Sequence, residues 1–392
     1  MIGWEEAQAR ILALGTPVES ETVGLSQAAG RWSTDDITAL RTQPARDLSS
    51  MDGYAVRFAD MPGPWHIIGQ SAAGAPFDGS VNESEAVRIF TGAAVPAGAD
   101  TIVIQEDVTR DDDALTLTGD GPATTGAYVR RAGSDFVQGD SLIAGGAFLS
   151  PAALALVTMG GHGVLDVHRR VRVAIVSTGN ELVAPGASLD PDQLPDTNAP
   201  MLAAMLAPFP VEVVDLGIIP DDRESHAAAF ARAADCDILV TSGGASVGDH
   251  DLVRPVLLDM GATLDFWKVA MRPGKPLMAG TLGKTIVLGL PGNPVSAFAT
   301  ATLFLLPLVR HLSGARDPLP RRVPARCGAA MPAVGIRTDF IRARWEDGAL
   351  APLPSTDSGV LTSLAQADAF IIRPAGAEAI PAGTLVEAIL IA

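Results

Sequence analysis

Three glycine-rich turns, each at the end of an apolar run with the length of a strand, constrain the fold of this chain most. The runs VRVAIV (171–176), DILV (237–240) and TIVLGL (285–290) lead into STGNEL, TSGGASVGDHD and LPGNPVS. A repeated order of strand, glycine turn and helix builds an open sheet with a ligand crevice at the carboxyl ends of its strands. The sequence therefore predicts an α/β domain with an open, mostly parallel sheet and glycine-rich ligand loops.

The ligand expected in this crevice is an anion that carries phosphate. Backbone N–H groups of glycine turns approach phosphate oxygens closely, and the nearby turn RPGKP (272–276) adds cations. The chain as a whole has a formal charge of −17. This charge argues against a nucleic-acid partner, because a phosphate backbone requires a basic surface. Positive charge is instead concentrated at Lys268, Arg272 and Lys275, which we expect to offset the charge of the ligand.

Cysteine content and apolar runs indicate the cellular compartment expected for this protein. Its two cysteines, Cys236 and Cys327, belong to no CxxC pair and build no zinc or redox motif. The N-terminus MIGWEEAQAR is acidic and lacks the basic start of a signal peptide. The most apolar stretch, FATATLFLLPLV (298–309), is too short to span a bilayer. We expect a cytoplasmic protein with no membrane partner.

The composition changes along the chain in a way that predicts several domains. Helical spacing over 4–14, and Ser150-Pro151 as the start of a helix, predict an elongated helical domain if these two helices pack together. A β-rich segment lies between them, and a proline-punctuated linker precedes a small C-terminal β domain. The expected domains are 1–45 with 141–169, 46–140, 170–314 and 320–392. Strands are expected at 102–108, 114–119 and 211–216, and helices at 223–234 and 295–312.

Eight motifs along the chain resemble, in their order, the molybdopterin molybdenumtransferase family, which includes bacterial MoeA proteins and the E domain of gephyrin-type proteins. They are SSMDGYAV (49–56), FTGAAVPAGADTIVIQEDV (90–108), YVRRAGSDF (128–136), STGNEL, TSGGASVGDHD, RPGKP, LPGNPVS and SGVLTS (358–363). The resemblance covers nearly the whole chain. It implies a transferase that uses Mg²⁺, takes molybdate and adenylylated molybdopterin as substrates, and releases AMP. It also implies a homodimer with a cleft shared between subunits, and as partners molybdopterin adenylyltransferase and maturation factors of molybdoenzymes.

The resemblance also assigns roles to individual residues. The catalytic residues that it implies are Asp251, Lys268, Lys275, Glu181 and Asp52. The substrate-binding residues are Thr91, Arg130, Gly243, Gly244, Ser246, Arg272, Pro276, Pro291, Gly292, Asn293, Pro294, Arg342 and Ser358. The metal ligands are Asp251, Asp222 and Glu181. Two positions depart from the family pattern: Arg272 replaces a usual lysine, which changes the donor geometry offered to an oxyanion, and Ala245 replaces a valine.

The residues themselves leave alternatives open. Asp251 either holds metal or water or caps a helix over 252–260, and Glu181 either serves the site or is satisfied by N–H groups in the first turn of a helix. Either Asp221 or Asp222 caps the helix near 223–234, so either can reach the site. Arg131 and Arg337 are alternatives to Arg130 and Arg342.

Two other functions compete with the transferase. Residues 171–312 alone also resemble the adenylyltransferase that acts in the preceding step, but the flanking SSMDGYAV and SGVLTS motifs argue against it. A gephyrin-like scaffold is the second alternative, and the catalytic residues named above argue against it. The histidines form no ligand cluster, and a GxSxG motif is absent.

Overall fold

The computed structural model describes residues 1–243, 252–355 and 357–391. They form two compact units. The first comprises Met1–Asp35, Gly145–Ser150 and Leu165–Ala392, and the second comprises Asp36–Ala144 and Pro151–Val164. The chain therefore leaves the first unit and returns to it, so the second unit is built from inserted segments.

Helices are interspersed with strands mainly in Val171–Leu312, whereas the described elements from Ile37 to Ile143 are strands and 3₁₀ turns. The helices are α1 (Trp4–Leu12), α2 (Leu25–Ala28), α3 (Pro151–Met159), α4 (Asn198–Leu206), α5 (Arg223–Arg232), α6 (Val253–Asp259), α7 (Pro294–Thr300), α8 (Leu306–Leu312) and α9 (Leu361–Ala365), with 3₁₀ turns at Phe58–Asp60 and Gln105–Asp107 and a π turn at Ala301–Leu305. The strands are β1 (Ser20–Gly24), β2 (Ile37–Thr38), β3 (Leu48–Ser49), β4 (Gly53–Val56), β5 (Trp65–Ser71), β6 (Glu85–Ile89), β7 (Thr101–Ile104), β8 (Val108–Asp111), β9 (Ala114–Leu117), β10 (Val129–Arg130), β11 (Ser141–Ile143), β12 (Val164–His168), β13 (Val171–Thr178), β14 (Leu182–Val183), β15 (Leu194–Pro195), β16 (Val211–Ile219), β17 (Ile238–Ser242), β18 (Thr263–Lys268), β19 (Met271–Arg272), β20 (Pro276–Leu282), β21 (Thr285–Leu290), β22 (Arg322–Arg326), β23 (Thr338–Glu346), β24 (Ala349–Pro352), β25 (Ala369–Arg373) and β26 (Leu385–Leu390).

A six-stranded sheet in the order β16-β13-β17-β21-β20-β18 forms the centre of the first unit. Its first four strands are parallel, and β20 and β18 run antiparallel to their neighbours. Side chains of β13 alternate between two buried clusters: Val173 and Ile175 pack with residues of α1, α4 and α8, whereas Ala174 and Val176 pack with residues of α5 and α6. Helices thus cover both faces, which confirms the predicted α/β class with a mostly parallel sheet.

The turn after β13 departs from the predicted order of strand, turn and helix. STGNEL leads into the short strand β14, which pairs in parallel with β15, and the next helix starts only at Asn198. Because no helix begins near Glu181, the idea that N–H groups in the first turn of a helix satisfy this carboxylate is wrong. The predicted strand at 102–108 is also divided, since the polar residues Gln105–Asp107 form a 3₁₀ turn between β7 and β8.

The two helices expected to form one helical domain belong to different units. In the first unit, Trp4, Ala7 and Ile11 of α1 are buried in the same cluster as Val309 and Leu312 of α8. In the second unit, α3 lies against β11. The apolar face of α1 is therefore satisfied by the α/β core. Strands of 1–45 and 141–169 still pair with each other, β1 with β12 and β2 with β11, and the domain expected from these two segments stays a prediction.

The helix predicted at 295–312 is a continuous helical segment from Pro294 to Leu312, with the π turn in its middle. At 19 residues it is long and apolar enough to cross a membrane, and 78% of its apolar 18-residue window is buried inside the protein. The apolar run 298–309 is the middle part of this longer helix. Its burial explains its composition, because an apolar helix surrounded by protein packs as a core helix.

The C-terminal segment forms a second sheet of the first unit, in the order β19-β23-β25-β26-β22 with β24 beside β23. Its edge strand β19 comes from the RPGKP region and pairs in parallel with β23. Phe340 of β23 packs edge-to-face on Trp4 of α1, with ring centroids 5.2 Å apart. The C-terminal sheet is thus joined by backbone pairing to the turn that carries Arg272.

The second unit contains its own six-stranded sheet in the order β7-β4-β6-β5-β9-β8. Apolar residues pack on both faces of this sheet, with Tyr54, Trp65 and Leu115 on one side and Val87 and Ile102 on the other. Two short antiparallel pairs, β3 with β10 and β2 with β11, complete the described strands of this unit. The unit therefore has a core of its own.

Candidate active site

A cleft of about 840 Å³ lies at the carboxyl ends of the parallel strands in the first unit. Its described lining comes from turns that follow β13, β16, β17 and β21, from the start of α4, from the RPGKP turn and from the C-terminal segment. These residues are Thr178, Gly179, Glu181, Leu182, Leu194–Asn198, Asp221, Ser242, Gly243, Arg272–Pro276, Pro291–Pro294, Ser296, Arg337, Asp357 and Ser358. The position agrees with the rule that open α/β sheets bind ligands outside the carboxyl ends of their strands.

The turns after β13 and β16 bring one carboxylate each, Glu181 and Asp221, to the cleft. The backbone N–H of Asn180 donates to Asp221 Oδ2 (3.2 Å), and the N–H of Asp221 donates to Asn180 Oδ1 (3.1 Å). Gly179 has φ +149°, and a Cβ there would lie 2.6 Å from Glu181 Oε2. Glycine at this position therefore leaves room for the Glu181 carboxylate beside the backbone.

Asp222, predicted as a metal ligand, serves a different purpose. It is the N-cap of α5: its Oδ1 accepts the N–H of Ser225 (2.8 Å) and its Oδ2 accepts the Ser225 hydroxyl (2.8 Å). The Ser225 N–H, followed by this hydroxyl, holds the pKa of Asp222 below its usual value. Both oxygens of Asp222 are engaged at the helix, so of the two alternatives the structure places Asp221 in the cleft lining.

Asn198 connects three parts of the lining and was missed in the sequence. Its Nδ2 donates to Ser242 Oγ (2.7 Å) and to the carbonyl oxygen of Gly292 (2.7 Å), while Asp196 Oδ1 accepts the N–H groups of Asn198 and Ala199. The buried Asn198 Oδ1 has no hydrogen-bond partner among the residues that the structure describes. A signal for this site was present, since Asp196-Thr197-Asn198 before the apolar run of α4 is typical of a helix start.

The turn Pro291–Pro294 begins the long core helix at the cleft. Asn293 occupies the N-cap position with extended φ and ψ, and Pro294 occupies the first turn. Asn293 Nδ2 donates to Ser358 Oγ (2.8 Å), and the N–H of Val295 donates to the Ser358 carbonyl oxygen (3.2 Å). The structure thus brings Pro291, Gly292, Asn293, Pro294 and Ser358 together, as the resemblance implied.

Gly243 directly follows the last residue of β17. It has φ +94°, and a Cβ would lie 2.7 Å from the carbonyl oxygen of Thr178, so any other residue at this position is both strained and crowded. Three further predicted residues of the same loop, Gly244, Ser246 and Asp251, lie outside the described residues.

The RPGKP turn supplies two cations to the lining, Arg272 and Lys275, together with Pro276. Arg272 Nη2 donates to Asp339 Oδ2 at 2.5 Å. Lys268, the third predicted cation, is the last residue of β18, opposite Pro276 in the strand register. It does not belong to the described lining of the cleft.

The C-terminal segment contributes Arg337, Asp357 and Ser358, and not the predicted Arg342. Arg342 is 5% exposed and donates to the carbonyl oxygens of Ser355 (2.6 Å), Asp357 (2.9 Å) and Val360 (3.1 Å). Burial lowers the pKa of Arg342 below its usual value. Its guanidinium therefore holds the loop that presents Ser358, whereas the alternative arginine, Arg337, lines the cleft.

The second unit contains the predicted residues Asp52, Thr91 and Arg130. Asp52 Oδ1 accepts the N–H (2.7 Å) and the hydroxyl (2.9 Å) of Thr91, and these two bonds, the N–H first, hold the pKa of Asp52 below its usual value. Arg131 donates to Asp47 Oδ2 (2.6 Å), whereas the exposed Arg130 makes no such contact within the described ranges. Asp52 and Thr91 thus form a local pair on this unit.

The cleft carries charges of both signs. Arg272, Lys275 and Arg337 face an interior that also contains Glu181, Asp196, Asp221 and Asp357. In the described parts of the chain, no three His, Cys, Asp or Glu residues are grouped closely enough to hold a metal ion by themselves. The lining therefore suits an anionic ligand that brings oxygen ligands of its own to a cation.

Comparisons with known proteins identify the three segments of the chain. Residues 2–161 match the MoeA N-terminal region (domain I and II), residues 174–311 a probable molybdopterin-binding domain, and residues 324–391 the MoeA C-terminal region (domain IV). The chain is 38% identical to a molybdopterin molybdenumtransferase of Haemophilus influenzae over 321 residues, which covers 81% of this chain and 79% of the relative.

Two further relatives match over a greater length. A molybdopterin molybdenumtransferase of a Nostoc species is 34% identical over 393 residues, covering 94% of this chain and 88% of the relative. A solved molybdopterin biosynthesis MoeA protein from Pyrococcus horikoshii superposes with a TM-score of 0.81 at 31% identity, covering 100% of this chain and 99% of the other. Similarity of sequence and of fold therefore extends over both units.

Proposed function

Because this chain belongs to the MoeA family, we propose that it is a molybdopterin molybdenumtransferase, an enzyme of molybdenum cofactor biosynthesis. In the proposed reaction, adenylylated molybdopterin and molybdate enter the cleft, the phosphoanhydride is hydrolysed, AMP leaves, and molybdenum stays on the dithiolene sulfurs. The observation that carries this proposal is the single cleft in which Arg272, Lys275 and Arg337 lie beside Glu181 and Asp221. Two oxyanions and a cation require such a mixture of charges.

The size of the cleft supports a substrate larger than a simple anion. Pockets for small molecules and cofactors typically enclose roughly 300–1,000 Å³, and the cleft encloses about 840 Å³. Its polar groups are backbone turns, hydroxyls and cations, and its apolar surface includes Leu182, Leu194 and the prolines of two turns. A pterin with phosphate and nucleotide groups presents the same combination of flat apolar and charged parts.

The residues present also fit a bound Mg²⁺. This ion usually takes one or two protein carboxylates and completes its shell with water and substrate phosphates. Glu181 and Asp221 line the cleft, and the Glu181 carboxylate makes no hydrogen bond to another described residue. When bound, Mg²⁺ would neutralise charge on the phosphoanhydride. Asp251, which lies outside the described residues, remains a predicted third carboxylate.

The roles of the other residues follow from their positions. Lys275 and Arg337 offset phosphate or molybdate charge, and Gly243 and Gly292 let the backbone approach the pterin phosphate closely. We further propose a homodimer in which Asp52 and Thr91 of one subunit serve the cleft of the other. This arrangement gives a function to a pair of residues that belongs to a different unit from the cleft.

The proposal is tested by incubating the purified protein with adenylylated molybdopterin and measuring AMP by chromatography. AMP should appear only when molybdate and a divalent cation are both present. Equal release without molybdate, or after chelation of the metal, would contradict the proposed reaction. Absence of turnover under all conditions, with intact pterin binding, would favour a scaffold instead. In a separate incubation with ATP and molybdopterin, formation of adenylylated molybdopterin would favour the adenylyltransferase.

A further inference from the structure

Asp339 lies behind the Arg272 side chain, in the C-terminal sheet. It is the second residue of β23 and stands beside Arg272 in the parallel register between β19 and β23. Its side chain is 10% exposed, whereas that of Arg272 is 48% exposed. The bond from Arg272 Nη2 to Asp339 Oδ2 measures 2.5 Å. The pair therefore consists of a buried carboxylate and a guanidinium that extends from it to the cleft surface.

A guanidinium is suited to such a double contact. It is planar and carries five N–H donors in a fixed fork, whereas a lysine has one nitrogen for all of its contacts. The single hydrogen bond that the structure gives the Arg272 side chain to another described residue uses Nη2. Donors on the other two nitrogens stay available to a ligand. A buried carboxylate is costly unless it is paired, so Asp339 keeps its bond to Arg272 and restricts the rotation of the side chain.

We propose that Asp339 is a positioning residue, which fixes the Arg272 guanidinium so that its remaining donors bind a tetrahedral oxyanion in the cleft. The inference rests on the proposed function and refines it, because it assigns the oxyanion subsite to Arg272 and its orientation to the C-terminal sheet. The carboxylate also offsets the charge of Arg272. Selection of the oxyanion at this subsite then depends on the geometry of the Arg272 donors, while Lys275 and Arg337 supply the excess positive charge of the cleft.

The first test is the dependence of AMP release on molybdate in Asp339→Asn, which keeps the size of the side chain but removes its charge. The KM for molybdate should rise about tenfold, the cost of losing a charge-assisted hydrogen bond, with kcat changed by less than about twofold. The matched control is Glu387→Gln in the same sheet. Glu387 Oε2 lies 3.5 Å from Arg322 Nη1, and neither residue belongs to the described lining of the cleft, so this variant removes a paired charge away from the cleft. This variant should leave the KM unchanged.

A double-mutant cycle separates positioning from a general structural role. In an Arg272→Ala background, Asp339→Asn should change the KM for molybdate by less than about twofold, because the residue through which it acts is already absent. Additive effects of the two substitutions would overturn the inference. Thermal unfolding of each variant checks the fold. If Asp339→Asn does not fold, Asp339→Glu is tested in its place. The longer side chain should displace the guanidinium and raise the KM for molybdate about threefold. An unchanged KM in Asp339→Glu contradicts the inference.

Direct titration with molybdate alone distinguishes failure of this inference from failure of the proposed function. Weaker binding by Asp339→Asn than by the wild type supports the inference even if AMP release is absent, in which case only the proposed reaction fails. Normal AMP release with an unchanged KM and unchanged binding in Asp339→Asn overturns the inference and leaves the reaction intact. A wild-type protein that neither releases AMP nor binds molybdate contradicts both.

Discussion

The cleft of the first unit and the Asp52–Thr91 pair of the second unit both contain residues that motifs predicted, but their carboxylates are used differently. In the cleft, side chains from segments between Thr178 and Ser358 line one cavity, and cations lie beside acids. In the second unit, one oxygen of Asp52 accepts two hydrogen bonds from Thr91, a residue of the same unit. The cleft is thus assembled from distant segments, whereas the Asp52 site is a local arrangement.

This difference shows what motifs do and do not reveal. A motif identifies a functional region, but the hydrogen bonds decide which of its polar groups remain available to a ligand. Asp221 and Asp222 are adjacent in the sequence, yet one lines the cleft and the other caps a helix. The same distinction separates Arg337, at the cleft, from the buried Arg342.

The largest effect on AMP release is expected when a variant of the cleft and a variant of the Asp52–Thr91 pair are tested alone and then mixed. Asp52→Ala and Glu181→Ala should each be inactive as homodimers. If the active site is composite, a co-refolded mixture forms mixed dimers with one intact cleft, and about a quarter of wild-type AMP release returns. Native mass spectrometry confirms that mixed dimers are present. A mixture that contains them and remains inactive would place each site within one chain.

A large effect is also expected from adding one methyl group to the glycine turn of the cleft. Gly243→Ala places a Cβ 2.7 Å from the Thr178 carbonyl oxygen and should lower kcat about 100-fold, because it displaces the turn. Gly261→Ala is the matched control: its φ is also positive, at +89°, but a Cβ there meets no atom within 4 Å. Both variants carry backbone strain, so equal losses of activity would attribute the effect to strain and not to the cleft.

Asp221→Asn and Asp222→Asn compare two neighbouring carboxylates. Asp221→Asn should raise the Mg²⁺ concentration needed for half-maximal AMP release about tenfold, since a ligand loses its charge. Asp222→Asn should leave this concentration unchanged, and asparagine preserves much of the helix cap. The Mg²⁺ dependence of both variants is measured beside their thermal midpoints. The reverse pattern would reassign the metal ligand to Asp222.

The smallest effect concerns the ionisation of Asp52. Thr91→Val removes the hydroxyl bond but keeps the N–H bond, which is the larger cause of the lowered pKa. The pKa of Asp52 should therefore rise toward its ordinary value without reaching it, as followed by carbon NMR. Because the folded-state pKa lies below the unfolded one, Asp52 stabilises the fold above the unfolded pKa, and this stability is lost as pH falls through the folded pKa. An unchanged titration would show that the hydroxyl is not a significant partner.

Much of the fold follows from local patterns in the sequence. Short apolar runs before glycine turns identified β13, β17 and β21. A capping aspartate before an alanine-rich stretch identified α5, and the PGNP turn identified the start of the long helix. The position of α1 was not predictable in this way. Its apolar face shows that it must be covered, but the choice between α3 and the α/β core depends on long-range packing that periodicity does not encode.

The candidate site was predictable where a turn both carries the residue and fixes its direction, as at Gly243, Lys275 and Asn293. It was not predictable where two similar residues lie close together, because capping and loop contacts determine which of them faces the cleft. Asn198 was missed for a related reason, since its role depends on Ser242 and Gly292 from other strands. Its position at the start of a helix gave no indication of these partners.

Single-turnover AMP release from adenylylated molybdopterin by the wild type and by Lys275→Ala tests the central claim, that the cleft is the centre of molybdenum transfer. The matched control is Lys284→Ala, an exposed lysine in the turn that precedes β21, at the opposite end of that strand from the cleft. We predict molybdate-dependent release by the wild type and the control, and a rate about 100-fold lower in Lys275→Ala. Equal rates in all three proteins, or release by the wild type that does not depend on molybdate, would contradict the claim.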